Sequence, residues 1–398
     1  MKKTNKPDGY LPVLDGLRAI CMMLVFFFHN YQQTWLRADF RIGNLILTLE
    51  PFQRYGYIAI DAFFVLSGFC LFYPVARNMF GEAREQSIKE FYIKRLRRII
   101  PAYYFMLILL LIFPVLSYVI YSPDRPLDLL KHFGSHALFI HIYNPSTLGS
   151  TISTAWTLGI EAAFYLFFPL LSKAFRKSPA ITFGVMFITA HILRILLATQ
   201  SGVGQYEAAN PLLYLDVFAW GMISSYAVVY VRHKMPYFEK TKILMTVISI
   251  LCLIGVYMYM RWMGETRIEG QDGETYHRLL YRTILAGFFA VFLFSASYSV
   301  KLWQAFWGNR FFMFISSISY SFYLWHQNVH IALRKLNIPY TDANPVMDDK
   351  RAMIIFMLLS IIISFAIAIF STYCIEKPII KYGFKGCVLK AKNIFKKA

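Results

Sequence analysis

Charge is scarce in this chain: aspartate, glutamate, lysine and arginine make up 16% of the 398 residues, while 57% are hydrophobic. So thin a polar complement cannot coat a soluble domain of this length. Low-complexity linkers, internal repeats and long polar stretches are missing too, which excludes a repeat array and a separate soluble domain. Cysteine is sparse: Cys21, Cys70, Cys252, Cys374 and Cys387 are odd in number and scattered. That dispersal fits neither a disulfide framework nor a zinc-binding spacing, so no metal is expected. Negative charge is the scarcer sign, with 22 acidic residues against 41 lysines and arginines and a net charge of +19.

What the chain has is long apolar runs. Ten stretches come close to the twenty or so residues that cross a bilayer: 11–32, 56–76, 98–120, 153–173, 180–199, 209–231, 242–260, 278–297, 311–333 and 351–372. They predict an all-α, polytopic integral membrane helix bundle. The segment from Lys131 to Tyr143 is apolar but short and rich in histidine, and reads as interfacial or re-entrant. With the N-terminus inside, the inner segments hold 26 of the 41 lysines and arginines, as cytoplasmic loops should. Both termini are then cytoplasmic. The basic surplus expresses topology and attraction to anionic membrane lipids, and nucleic acid is not expected as a partner. Lys2, Lys3 and Lys6 precede an apolar run interrupted by charges, which predicts an uncleaved anchor rather than a signal peptide. One membrane domain, residues 1–382, is expected, with a short basic tail, 383–398, lying on the inner leaflet. The outer loop from Arg261 to His277, with Gly264, Glu265, Glu269, Gly270, Asp272, Gly273 and Glu274, reads as flexible and acidic.

Ionisable groups inside apolar runs are costly and usually functional. The first run carries Asp15, Arg18 and His29. Arg18 and His29 are eleven residues apart, which on a helix returns both to one face at a separation of about 16 Å. A snorkelling arginine beneath a packed histidine would give the same pattern. Between the second and third runs, Lys94, Arg95, Arg97 and Arg98 crowd the inner surface. The positive-inside rule alone explains such a cluster, but Arg95 and Arg98 lie one turn apart and could fork around one phosphate. Ser67 and Gly68 sit within the second run, where small residues commonly serve packing. Glu161 lies in the fourth beside Phe164 and Tyr165, and needs a partner or a proton there. The ninth run brings Tyr320, Tyr323, Trp325, His326 and His330, with the two histidines at the i, i+4 spacing of zinc ligands. They lack a third ligand in sequence reach, so aromatic packing is the default. The run His132, His136 and His141 is likewise a weak metal signal.

Counted from the span ends, His29, Asp61, Glu161, Arg194, Asp216, Arg282 and His326 fall in the outer half. Asp15, Arg18, Arg95 and Arg98 fall near the inner surface. Phosphate binding inside and acid–base groups outside suggest a donor drawn from the cytoplasm and an acceptor facing outward. Some members of the outer cluster could simply pair with one another.

Six blocks carry a family resemblance: Tyr10–Asn30, Ile60–Phe69, Arg95–Tyr104, Trp156–Pro169, Ile318–His326 and Ile375–Pro378. In order, they resemble the membrane acyltransferase-3 family of bacterial O-acyltransferases. The resemblance implies a ten-helix core in the bacterial cytoplasmic membrane, acetyl-CoA as co-substrate and a hydroxyl of a cell-surface carbohydrate as acceptor. It matches the family's arginine and histidine to Arg18 and His29, its paired arginines to Arg95 and Arg98, its serine to Ser67 and its glutamate to Glu161. Ala162 and Ala163 stand where many members have another acidic or polar residue. Many members also carry a C-terminal extracytoplasmic hydrolase-like domain, so acceptor selection here is expected from the bundle, its outer loops or a separate protein.

The expected mechanism places the CoA phosphates on Arg95 and Arg98 with the pantetheine arm beside Arg18. His29 is the general base, oriented by Glu161 or Asp61, and Ser67, a tyrosine or an arginine stabilises the carbonyl oxygen. A covalent acyl-histidine is an open variant. The alternatives are a lipid or small-molecule acceptor, a succinyl donor, or a transporter, since buried charges also mark transport pathways.

Overall fold

The computed structural model describes residues 9–43, 45–117, 126–198, 209–268, 276–340 and 349–395. Among the described residues, ten long helices precede a C-terminal one: α1 (Pro12–Thr34), α2 (Ala59–Met79), α3 (Ile88–Ile112), α4 (Trp156–Lys177), α5 (Pro179–Ala198), α6 (Leu215–Lys234), α7 (Lys242–Ile268), α8 (Arg282–Ser297), α9 (Arg310–Lys335) and α10 (Lys350–Phe370). Among the described residues, eight of the ten regions are long and apolar enough to cross a membrane. The other two are α3, whose first half is basic, and α9, which buries Ser316, Ser319, Ser321, His326, Gln327, Asn328 and His330. Their polarity fits their place, because both line the chambers described below. The chain is a multi-pass protein of the plasma membrane.

Outside the bundle, Asp39–Ile42 and Leu45–Thr48 form a small antiparallel hairpin, pairing Asp39 with Thr48 and Ile42 with Leu45. Polar caps start several helices: Ser87 accepts from the Glu90 amide, Asn309 from Phe312, and Asp349 from Arg351 and Ala352. The tightest seam joins α2 and α6. A Cβ on Gly68 would run into the Phe218 carbonyl, and one on Gly221 into the Val65 carbonyl, so each helix admits the other's backbone only because these residues lack side chains.

Two readings of the loops change. The helical course of α7 continues to Ile268, so Gly264 and Glu265 are helical rather than part of a flexible loop, whereas Glu269, Gly270, Asp272, Gly273 and Glu274 lie outside the described residues. Lys2, Lys3 and Lys6 also lie outside them. The C-terminal stretch forms a helix, Lys377–Phe395, broken at Gly383, where φ is 71°.

The segment before α4 does not span. A helix (Pro126–Ala137) leads into short turns at His141–Tyr143 and Ser153–Ala155 that enter the bundle. Ile152 and Thr151 are fully buried. The Thr154 hydroxyl lies 3.4 Å from the Tyr323 carbonyl, midway along α9. Helix α4 therefore begins at mid-bundle. His136 and His141 stack inside this segment with ring centroids 4.1 Å apart. Burial pushes the His141 imidazole down to about 4, and pushes His136 well below the usual histidine range, helped by its neighbour His141.

Candidate active site

Among the described residues, two of the bundle's cavities lie one above the other. The inner one, about 440 Å³, is lined by Asp15, Arg18, Ser67, Cys70, Arg95, Arg98, Glu161, Tyr165, Tyr320 and other groups. The outer one, about 520 Å³, is lined by His29, Gln32, Asp61, Trp156, His277, Arg278, Arg282 and Gln327 among others. Ile60 and Tyr323 line both. Helix α1 contributes Arg18 to the lower chamber and His29 to the upper, as their shared face requires.

In the inner chamber, Ser316 bridges two α1 residues: it donates to Asp15 at 2.7 Å and receives Arg18 Nη1 at 3.4 Å. Asp15 also accepts from the Tyr10 hydroxyl at 2.5 Å. Arg18 Nη2 lies 3.6 Å from Cys70 Sγ. The Arg95 guanidinium stands 5.8 Å from the Phe91 and Tyr165 ring centres, and its Nε is buried without a hydrogen-bond partner. Arg98 stands 5.7 Å over Tyr320 and 3.6 Å from Glu376. Three guanidiniums, one with an unused buried donor, suit an anionic ligand such as a coenzyme phosphate.

Glu161 is here, not beside His29. It accepts a short hydrogen bond from Ser67 and is also bonded by Tyr165. Counting depth from the start of α4 misplaced it, because that helix starts at mid-bundle. Asp61 lines the outer chamber but engages other groups: its Oδ2 receives His277 Nε2 at 3.1 Å and its Oδ1 lies 3.1 Å from Arg282 Nε. Neither carboxylate orients His29.

That part falls to Gln32, which sequence reasoning passed over. Its Oε1 is 3.0 Å from His29 Nδ1. Donation from Nδ1–H leaves Nε2 with a free lone pair, the form a base needs. The His29 ring packs 5.0 Å from Phe28 and 5.1 Å from His326. His326 and His330 pack among Phe26, Phe322 and Phe356. Arg194 and Asp216 pair with each other in full burial, at 2.8 and 2.5 Å, and fasten α5 to α6. Between the chambers, the Tyr323 hydroxyl shares a 3.0 Å hydrogen bond with Thr157.

Also missed were Glu376 and His277. Glu376 is 1% exposed, bonded by Ser321 and Thr372, and faces Arg98. Its signal in the sequence is the Ile375–Pro378 block, which contains it. His277 stood at the end of an apparent loop, and nothing in its neighbourhood marked it.

A helical membrane bundle with a cationic inner chamber and an imidazole in an outer one that shares its Ile60–Tyr323 lining defines a class. The family model described as an acyltransferase domain matches residues 11–373, and the chain belongs to this membrane acyltransferase-3 family. Among similar proteins, the peptidoglycan O-acetyltransferase OatA of Listeria monocytogenes is 29% identical over 193 residues, 44% of this chain and 26% of that protein. The O-acetyltransferase OatA of Staphylococcus aureus is 28% identical over 173 residues, 41% of this chain and 24% of its own length. The acyltransferase MdmB of Streptomyces mycarofaciens is 31% identical over 172 residues, 42% of this chain and 41% of its own. The chain thus spans less than half the length of each of these relatives. No solved structure matches it.

Proposed function

We propose that the chain is an O-acyltransferase that moves an acetyl group from cytoplasmic acetyl-CoA to a hydroxyl of a cell-surface or exported carbohydrate. The observation that carries this reading is the pair of chambers sharing the Ile60–Tyr323 wall, with Arg18, Arg95 and Arg98 below and His29 above. The arginines hold the coenzyme phosphates, and the pantetheine arm rises past Arg18 to bring the thioester to the wall. In the outer chamber His29 Nε2 takes the proton of the acceptor hydroxyl as its oxygen attacks the thioester carbonyl. The ester C–O bond forms, the C–S bond breaks, and the thiolate leaves with a proton returned by the imidazolium. Ser67 and Glu161, bonded to each other beneath the wall, serve the thioester side of the reaction rather than the imidazole. The relatives' activities, O-acetyl transfer by the two OatA proteins and acyl transfer by MdmB, support the acetyl donor and the enzyme class.

The test is transfer of labelled acetyl from acetyl-CoA by the purified full chain in lipid. His29→Ala is expected to lower turnover by about 10²- to 10⁴-fold, the usual contribution of a general base. Arg95→Gln with Arg98→Gln is expected to raise KM for acetyl-CoA. Unchanged transfer in His29→Ala refutes the assignment, and solute transport independent of CoA would replace it with an exporter.

A further inference from the structure

Below the inner chamber lies a further cavity of about 380 Å³ that the steps above leave unused. The same three helices wall both. On α2 the lining passes from Ser67 and Leu71 to Val75 and Asn78, on α4 from Glu161 and Tyr165 to Phe168 and Lys173, and on α3, which runs the other way, from Arg98 and Arg95 to Phe91 and Ile88. Leu71 lines both recesses, and Arg95 stands 5.8 Å over the Phe91 ring. They are successive stretches of one trench. From Glu161 to Arg176 the trench follows α4 for about 22 Å by helical rise, so a ligand with its reactive end beside Glu161 needs a long arm to reach the bottom. The lower stretch has two kinds of lining. Val75, Phe91 and Phe168 form an apolar wall, with the two ring centres stacked 5.0 Å apart. Three cations edge it. Arg84 is 3.1 Å from Glu90 and Arg176 is 2.9 Å from Glu85, whereas Lys173 is exposed and has no ion pair among the described residues. An apolar slot with a few placed charges suits a flat ring that carries an anion.

We propose that this lower cavity holds the adenosine end of the coenzyme, with the adenine on the Phe91 and Phe168 wall and the ribose 3′-phosphate on Lys173. This rests on the reading of the inner chamber as the acyl-CoA site. Arg95 and Arg98 keep the diphosphate, and Arg95 lies one turn of α3 from the ring that meets the base. A phospholipid headgroup would bring a phosphate to Lys173 but no ring to the wall.

The test compares coenzyme A, dephospho-coenzyme A, which lacks only the 3′-phosphate, and phosphopantetheine, which lacks the adenosine nucleotide. Binding of each is measured by calorimetry on the purified full chain in lipid nanodiscs. Coenzyme A is expected to bind about fivefold or more tightly than its dephospho form. Lys173→Gln should bring that ratio close to one, and because Lys173 is exposed the variant keeps its fold. Val75→Trp, which fills the slot, should weaken coenzyme A toward the affinity of phosphopantetheine. Equal binding of coenzyme A and its dephospho form, a ratio untouched by Lys173→Gln, or wild-type binding of coenzyme A by Val75→Trp overturns the proposal. So does a preference that is present in phosphatidylcholine discs and vanishes when phosphatidylglycerol is added, since Lys173 then serves a lipid phosphate. Each of those results leaves the acyl-CoA reading standing. Failure of every coenzyme form to bind would remove that reading, and this one with it.

Discussion

At the scale of single residues, the arginines of the inner chamber are held rather than free. Glu376 is the clearest holder, fixed by Ser321 and Thr372 and standing 3.6 Å from Arg98 Nη1. It touches no reacting atom in the proposed chemistry, so it is a positioning residue. Glu376→Gln keeps the hydrogen bonds and removes the charge. KM for acetyl-CoA is expected to rise several-fold with kcat nearly unchanged, and Glu376→Asp should restore part of it; equal losses in kcat and in thermal stability would mark a purely structural role. The sequence exposed Arg18, His29, Arg95 and Arg98 because charge inside or beside an apolar run is conspicuous. Gln32 was invisible for the opposite reason: it is uncharged, near a helix end, and gains meaning only from the imidazole it faces.

At the scale of elements, two seams have measurable consequences. The α2–α6 contact depends on Gly68 and Gly221, each pressed on a carbonyl of the other helix. Gly221→Ala is expected to cost about 1–3 kcal/mol, as overpacking does, read as a lower melting temperature in detergent. The second is the segment before α4, pinned by the stacked His136 and His141. Both imidazoles are held neutral by burial, with His141 pushed down to about 4 from an ordinary 6.5. Above pH 6.5 folded and unfolded forms are equally uncharged there. Below it the unfolded chain takes up protons that the folded one refuses, so stability is lost as pH falls from about 6.5 toward 4. A melting series over that range should slope downward, and His141→Gln should flatten it. This same segment hid the true depth of Glu161. Its residues are polar enough to read as a loop, and nothing local says that a loop is folded into the bundle.

At the scale of the whole molecule, the bundle of long apolar helices was legible in the sequence, because apolar length is nearly a local property. The chambers were not, since a cavity is defined by what neighbouring helices fail to fill. One side of the arrangement can be tested by chemistry. Cys70 lines the inner chamber, while Cys374 is exposed and Cys387 half-buried. With Cys374→Ser and Cys387→Ser in place, a membrane-impermeant maleimide is expected to label Cys70 in inside-out vesicles only, and CoA should slow the labelling. Labelling from the opposite face would reverse the assigned orientation.

The shared wall of Ile60 and Tyr323 has an electrical consequence. Where water-accessible recesses approach from both sides, most of a membrane potential falls across the thin barrier between them, and each elementary charge carried through it exchanges about 2.3 kcal/mol per 100 mV with that field. An acetyl group has no charge. If only that group passes the wall while the phosphates stay below, transfer exchanges no work with the field, and its rate in energised vesicles should be the same as in collapsed ones.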